Sequence, residues 1–347
     1  MTSAPADVVI RNGRVFDSVG AAFGAADVVV TDGLITAIGP DAAAGYSAPE
    51  TIDASGLLVT PGLIDMHAHV FPGQLESVST ASYGPVGGTT TFVDAGSAGG
   101  HLWQAFIMLI DQLPQRVVPF INISTIGITS MIHEGELATP AYADVDACVA
   151  AVAAIPRAAG VKVRASENVG HEHTEAGLRA ARAAADQLGL PLMVHLGPAP
   201  ADVDTILGLL RAGDILTHCF TGFSENGLLL EDQLRPSVVA ARERGVIFDV
   251  GHGMGGFRYD TARRAIELGF APDTISTDLH LYSAELVVDL PTTLSRFLAI
   301  GMSVPDVLVR ATAAPARALS LLDQGVGHLR VGGAGDIAVL RLADEAV

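Results

Sequence analysis

The chain has 347 residues, 49% of them hydrophobic, enough to bury the core of one large α/β domain with a small attachment. Acidic residues exceed basic ones by 38 − 20 = 18, which argues against binding nucleic acid through its phosphates. The only cysteines, Cys148 and Cys219, form no CxxC motif, and neither a signal peptide nor an apolar run of membrane-spanning length is visible. We therefore expect a cytoplasmic protein that binds neither nucleic acid nor membranes.

Both ends of the chain predict short strands of one β domain. These apolar, β-branched stretches cover residues 7–15, 27–31, 34–38 and 335–342. Asp32 and Gly33 separate the second and third stretches, a pair typical of a two-residue hairpin turn. We predict a small β-sandwich domain built from residues 1–55 and 330–347.

The middle of the chain alternates apolar runs with alanine-rich segments of helical spacing. The runs cover residues 57–70, 89–95, 117–124, 160–165, 191–196, 214–219, 246–250 and 274–280. Eight buried strands that alternate with helices are typical of a (β/α)8 TIM barrel. We predict this α/β architecture for residues 56–329.

Two histidines close the first of these runs. His67 and His69 stand two residues apart on a predicted strand, so their side chains point to the same face and can bind one metal ion. Four further metal-competent residues each end a later apolar run: Lys162, His195, His218 and Asp278. Because active sites of this fold lie at the carboxyl ends of the strands, the set predicts a metal centre.

Lys162 shares one face of its predicted strand with Arg164, while Val161 and Val163 take the other face. The apolar face suits the surrounding helices, so Lys162 is expected to point into the barrel. Burial favours a neutral amine, which can add carbon dioxide to give a carbamate that bridges two metals. A buried lysine paired with a carboxylate is the alternative, and the spacing alone leaves both open.

Asp278 is predicted to be both a metal ligand and the catalytic general base. In this interpretation a metal-bound hydroxide attacks an acyl carbon. The aspartate takes the proton of the hydroxide and delivers it to the leaving group.

The sequence PGLIDMHAH over residues 61–69, followed in order by the later ligand candidates, resembles the amidohydrolase superfamily, specifically its binuclear members with a carboxylated lysine. Segments 93–99, 160–164, 217–222 and 248–253 look like those of its dihydroorotase-like deacetylase subgroup. The resemblance implies two divalent metal ions, above all zinc, bridged by Lys162 with carbon dioxide bound as its carbamate. It also implies that His67, His69 and Asp278 bind the more buried ion.

By the same resemblance, His195 and His218 bind the second ion, and the protein is a homo-oligomer. The implied reaction is hydrolysis of an acetyl ester or amide on a small α-substituted carboxylate, of the acetyl-(R)-mandelate or N-acyl amino acid type. True dihydroorotases carry HxHxR, whereas this chain has Phe71 at the arginine position. Arg164 could supply the missing cation for the substrate carboxylate; an ion pair with Glu167 or another loop acid is the alternative.

Four other residues are expected to bind substrate. His252 lies in a glycine-rich loop after the seventh run, where backbone can approach a ligand closely. His280 shares the strand face of Asp278, where it can orient either the aspartate or a substrate group. Asn168 and Tyr282 are expected to line the pocket above the fourth and eighth strands.

Two other functions remain open at this point. A cyclic amidase of the dihydroorotase or hydantoinase type would need a pocket for a planar ring with a carboxylate or imide. A catalytically inactive barrel that serves as a binding or assembly subunit would be expected to lack metal ligands, and none of the six is missing.

Overall fold

The computed structural model describes residues 3–72, 74, 76–129, 135–223 and 225–344. Seven parallel strands form the central sheet, and their order in space follows their order in the chain. They are Leu63–Ala68, Thr89–Gly99, Arg116–Asn122, Gly160–Ala165, Leu192–Leu196, Ile215–Thr217 and Ile247–Phe248. Every residue of the first and fourth strands is buried, as expected for parallel strands that are covered on both faces.

Helices follow most of these strands. The α-helices of the described residues are Thr80–Gly87, Trp103–Ile110, Val145–Ala153, Glu167–Gly170, Thr174–Leu188, Val203–Leu209, Pro236–Glu243, Tyr259–Glu267, Ala284–Val287, Leu290–Ala299, Val304–Val309 and Ala313–Ala318. Within that part of the chain, no helix is both long enough and apolar enough to cross a membrane. The predicted α/β class and TIM-barrel architecture are confirmed.

Residues 274–279 close the barrel without forming a regular strand. Thr274 pairs with Asp249 on one side, and Leu279 pairs with Ala68 on the other, both in parallel. The backbone of Asp278 is left-handed, with φ of 50°, so the extended conformation is interrupted there. This conformation explains why the last predicted run is irregular.

The terminal strands form sheets of their own. The larger sheet has the order Ile337–Leu340, Leu58–Pro61, Val8–Asp17, Ala22–Thr31 and Leu34–Gly39, with Glu50–Asp53 also paired to Val8–Asp17. The predicted hairpin is present, and both of its turn residues, Asp32 and Gly33, have positive φ, as a type I′ turn requires. A short pair, Ala4–Pro5 and Tyr46–Ser47, forms a separate two-stranded sheet.

The apolar run predicted as one strand over residues 57–70 is two strands, divided at Gly62. The N–H group of Gly62 donates to Asp336 O at 2.7 Å, whereas that of Leu63 donates to Gly88 O at 2.9 Å. A Cβ atom on Gly62 would lie 2.1 Å from Thr90 Oγ1, so only glycine fits at this change of partners.

By packing, the chain forms two compact units. One comprises Met1–Ile64, Gly84–Thr91 and Leu294–Val347, and the other comprises Asp65–Tyr83 and Phe92–Thr293. The second unit contains all the candidate site residues. The division at residues 55/56 and 329/330 stays a prediction.

Candidate metal centre

Two histidines and an aspartate meet at the end of the first barrel strand. Oδ1 of Asp278 lies 3.3 Å from Nε2 of His67 and 3.3 Å from Nε2 of His69. All three residues are buried. The potential ligand atoms of His67, His218 and Asp278 lie within 4.8 Å of one another, which is close enough for them to bind a single metal ion.

Lys162 reaches the same point from the fourth strand. Its Nζ lies 3.3 Å from Nε2 of His67 and 3.7 Å from Sδ of Met193, and the side chain is fully buried. Gly96 makes room for it, because a Cβ there would lie 2.6 Å from Cβ of the lysine. Burial lowers the pKa of Lys162 to about 8, although the charge of Asp278 acts in the opposite direction.

His195 and His218 stand beside this group at the ends of the fifth and sixth strands. Their rings lie 4.2 Å apart, edge to face, and the ring of His218 is 5.1 Å from that of His67. Nε2 of His218 is buried and has no hydrogen-bond partner among the described residues. A buried polar atom without a partner is costly, and a metal ion would satisfy it.

The Nδ1 atoms of three histidines are held by the protein. Nδ1 of His67 lies 2.8 Å from Oγ1 of Thr217, and Nδ1 of His69 lies 2.9 Å from Oγ of Ser97. Nδ1 of His218 donates to the carbonyl oxygen of Gly251 at 2.7 Å. Each ring is thereby oriented through Nδ1 with Nε2 left available, which is the usual arrangement of metal-binding histidines. The donor set therefore fits a divalent metal of the zinc type.

Burial dominates the electrostatics of the cluster. It lowers the pKa of His67 and of His195 well below the usual value, and it lowers that of His218 to about 4. These imidazoles are neutral at pH 7, the form that binds metal ions. Burial alone would raise the pKa of Asp278, but its proximity to His67 and His69 holds it well below its usual range. Asp278 is therefore a carboxylate.

A glycine-rich loop lies directly against these residues. A Cβ on Gly253 would lie 2.3 Å from Oδ2 of Asp278, and one on Gly256 would lie 2.2 Å from Nδ1 of His218. Both contacted residues have left-handed backbones, with φ of 65° at His218 and 50° at Asp278. Strain of this kind is typical of functional sites. The loop thus packs on the two strained residues with its backbone.

Three buried carboxylates behind the histidines were missed by the sequence analysis. Asp65 accepts hydrogen bonds from the N–H and hydroxyl groups of Thr277, and burial raises the pKa of Asp65 to about 7. Asp94 accepts from the backbone N–H groups of Val70 and Ser97. Asp249 accepts from three hydroxyl groups. Their signal was present, since each lies in one of the motif segments 61–69, 93–99 and 248–253.

Arg164 forms a buried ion pair with Glu136. Its Nε donates to Oε1 at 2.9 Å and its Nη2 donates to Oε2 at 2.5 Å. The alternative interpretation of Arg164 named Glu167 or another loop acid, and the structure identifies Glu136 as the partner. Nothing local in the sequence pointed to that residue, which lies 28 positions away.

The four other residues expected to bind substrate make different contacts in the structure. Nε2 of His280 lies 3.9 Å from Oδ2 of Asp278, and the Tyr282 ring is 6.1 Å from that of His280. His252 is buried and stacks on Phe257 at 4.8 Å. Asn168 is exposed, and its side-chain oxygen accepts a 2.5 Å hydrogen bond from Ser166. The structure thus brings His280 beside the metal-ligand candidate Asp278, and Tyr282 beside His280.

A β/α barrel with histidines, a lysine and an aspartate gathered at the carboxyl ends of its strands has the architecture of a metallohydrolase. The chain is 33% identical over 323 residues to a deacetylase of Brucella anthropi, covering 92% of this chain and 80% of that protein. It is 33% identical over 330 residues to a deacetylase of Agrobacterium fabrum, covering 94% and 80%. No protein-family model matches the chain.

Two solved structures of amidohydrolases are also similar to the chain. A crystal structure of an adenine deaminase is similar with a TM-score of 0.87 and 32% identity, covering 96% of this chain and 89% of that one. A crystal structure of a dihydroorotase is similar with a TM-score of 0.85 and 31% identity, covering 95% and 87%. The chain belongs to the amidohydrolase superfamily, in the deacetylase subgroup, and is a metal-dependent hydrolase.

Proposed function

We propose that the protein hydrolyses an acetyl ester or amide on a small α-substituted carboxylate. The observation that carries this proposal is the convergence of His67, His69 and Lys162 on Asp278 and its neighbours, with distances of 3.3 Å, in a chain with deacetylase relatives. A carboxylate base beside a set of neutral imidazoles suits hydrolysis of an acyl bond.

We propose that His67, His69 and Asp278 hold one zinc ion and that His195 and His218 hold a second, with carboxylated Lys162 between them. When bound, such ions supply an acidified water and polarise the acyl oxygen. The lowered pKa of Lys162 supports the carbamate, because only the neutral amine adds carbon dioxide. Addition forms one N–C bond and releases one proton from the nitrogen.

Asp278 is the proposed general base. Its pKa is well below the usual range, so the carboxylate is free of protons at neutral pH and can accept one from the attacking water. It then returns that proton to the leaving oxygen or nitrogen. His280, whose Nε2 is 3.9 Å from Oδ2 of Asp278, is proposed to contact the substrate on that side together with Tyr282.

Arg164 is proposed to bind the substrate carboxylate. A guanidinium has five N–H donors, and Glu136 takes one from Nε and one from Nη2, which leaves donors for a second anion. Glu136 also fixes the guanidinium in one orientation. His252 is proposed as a further contact from the loop after the seventh strand, and Asn168 as one from the helix Glu167–Gly170 after the fourth strand.

A cyclic amidase is the second candidate, favoured by the similarity to a dihydroorotase structure at 31% identity. The environment of Phe71 weighs against dihydroorotate. Phe71 is buried in an apolar cluster with its ring 4.9 Å from that of Phe106, so this position supplies packing and no cation.

Proton NMR of the zinc-loaded protein with a substrate panel separates these candidates. The panel pairs both enantiomers of O-acetyl and N-acetyl α-substituted carboxylates with dihydroorotate, hydantoins and adenine. Release of acetate from one enantiomer is the expected result. Ring opening without acetate would replace the proposal with a cyclic amidase, and loss of ammonia from adenine would replace it with a deaminase.

We also propose that the protein acts in the cytoplasm as a homo-oligomer on a free small-molecule substrate. The presence of two buried, unpaired cysteines, Cys148 and Cys219, is in keeping with a reducing compartment. Light scattering of the purified protein measures the oligomeric state.

A further inference from the structure

One fully buried carboxylate lies behind two of the proposed metal ligands. Oδ2 of Asp249 accepts from Oγ1 of Thr217 at 2.8 Å and from Oγ of Ser276 at 2.7 Å, and its Oδ1 accepts from Oγ1 of Thr274 at 2.6 Å. All four side chains are at most 1% exposed. Each of the three hydroxyl groups donates its hydrogen to a carboxylate oxygen of Asp249.

The direction of these bonds fixes the proton on His67. Because the Thr217 hydroxyl donates to Asp249, its oxygen is free to accept, and Nδ1 of His67 lies 2.8 Å away. Nδ1 of His67 therefore carries the hydrogen. Its Nε2, which faces Asp278 at 3.3 Å, keeps the lone pair that a metal ion requires.

A second branch from the same carboxylate reaches His218. The Ser276 hydroxyl donates to Asp249, so its oxygen accepts the N–H group of Gly251 at 2.9 Å. The carbonyl oxygen of Gly251 in turn accepts from Nδ1 of His218 at 2.7 Å. The unpartnered Nε2 of His218 is thus also the lone-pair nitrogen.

We propose that Asp249 is a positioning residue that sets the tautomer and orientation of His67 through Thr217, and the orientation of His218 through Ser276 and Gly251. One carboxylate thereby prepares a ligand for each of the two proposed metal ions. This inference rests on the proposed function, since it concerns ligands of the proposed metal centre. Thr274 donates to the same carboxylate but leads to neither histidine.

Thr217→Val and Thr274→Val form a matched pair for the test. Each removes one hydroxyl from Asp249 and replaces it with a methyl group of similar size, but only Thr217→Val removes the partner of His67. Thr217→Ser keeps the hydroxyl and is the conservative control. Ser276→Ala tests the His218 branch independently, should Thr217→Val fail to fold.

The readouts are the zinc dissociation constant of metal-free protein, measured against a chromophoric chelator, and 15N NMR of its histidine rings. We expect Thr217→Val and Ser276→Ala to weaken zinc binding about ten- to a hundredfold, as loss of a ligand's hydrogen-bond partner does. Thr274→Val and Thr217→Ser should stay close to the wild type. The Nδ1–H signal of His67 should be lost only in Thr217→Val.

Equal zinc affinities and unchanged ring signals in Thr217→Val and Thr274→Val would overturn the inference and leave the proposed function standing. A wild-type protein that binds no zinc would instead overturn the proposed function together with the inference.

Discussion

Nζ of Lys162 lies 3.3 Å from Nε2 of His67, with both groups buried at the end of the barrel. The amine and the imidazole are both bases, so their lone pairs repel each other at this distance. A shared proton, or conversion of the lysine to a metal-bridging anion, would relieve this repulsion. The lysine comes from the fourth strand and the histidine from the first, 95 residues apart in the chain. This contact is the basis of the proposed lysine carbamate.

Replacing Lys162 by alanine should abolish turnover, because the proposed bridge between the two metal sites is lost. Short carboxylic acids added to the variant should restore part of the activity by taking the place of the carbamate. Acetate release in the presence of formate or propionate measures this, with the wild type in the same acids as the control. Full activity of Lys162→Ala without added acid would exclude the carbamate.

The glycine-rich loop offers a sharper test of the position of Asp278. Gly253→Ala should lower kcat about a hundredfold, because its Cβ would strike Oδ2 of the aspartate and misplace the base. Gly253 also has a φ of 49°, which disfavours alanine. In Gly255→Ala the nearest atom to the new Cβ is 3.7 Å away, so this neighbour is the matched control. Equal kcat values for the two variants would contradict the predicted contact.

The raised pKa of Asp65 predicts that the stability of the metal-free protein depends on pH. Burial raises its pKa from 3.8 to about 7, so the folded state holds this proton more tightly than the unfolded state. The stabilisation is fully present below pH 3.8 and is lost as the pH rises through 7. Asp65→Asn should keep its contacts with Thr277 and remove this dependence.

Chemical denaturation of the wild type and of Asp65→Asn between pH 4 and pH 8 measures the effect. The difference between their free energies of unfolding isolates Asp65 from the buried histidines, whose lowered pKa values act with the opposite sign. A difference that does not vary with pH would show that Asp65 stays ionised.

The buried pair of Arg164 and Glu136 should be strongly coupled. Arg164→Met or Glu136→Gln alone should cost about 3–5 kcal/mol of stability, since each leaves one buried charge unpaired. The double variant should cost less than the sum of the two. A double-mutant cycle from denaturation curves checks this, and additive costs would show that the pair is not coupled.

The barrel could be predicted from the sequence because parallel strands that are covered on both faces consist of continuous apolar runs. Gly62 was not recognised as a change of sheet, since the run continues through it and only the hydrogen-bond partners of Gly62 and Leu63 differ. The irregular segment around Asp278 was also hidden, because its left-handed backbone is imposed by the surrounding structure.

The candidate metal ligands could be found from strand ends, and the structure brings them together. The residues that hold these ligands in place could not be found in this way, because their contacts join segments that are far apart in the chain. Asp249 reaches His67 only through Thr217, and Glu136 meets Arg164 from a loop with no periodic pattern. Asn168 was placed at the pocket from loop position alone, whereas its exposed side chain bonds to Ser166.

Metal content measured together with turnover decides whether this barrel is a two-metal hydrolase. Protein prepared with zinc and bicarbonate should contain two zinc ions per chain, lose acetate release when a chelator removes them, and regain it when zinc returns. Protein that binds no zinc, or that releases acetate undiminished after the metal is stripped, would show that the barrel is not a two-metal hydrolase.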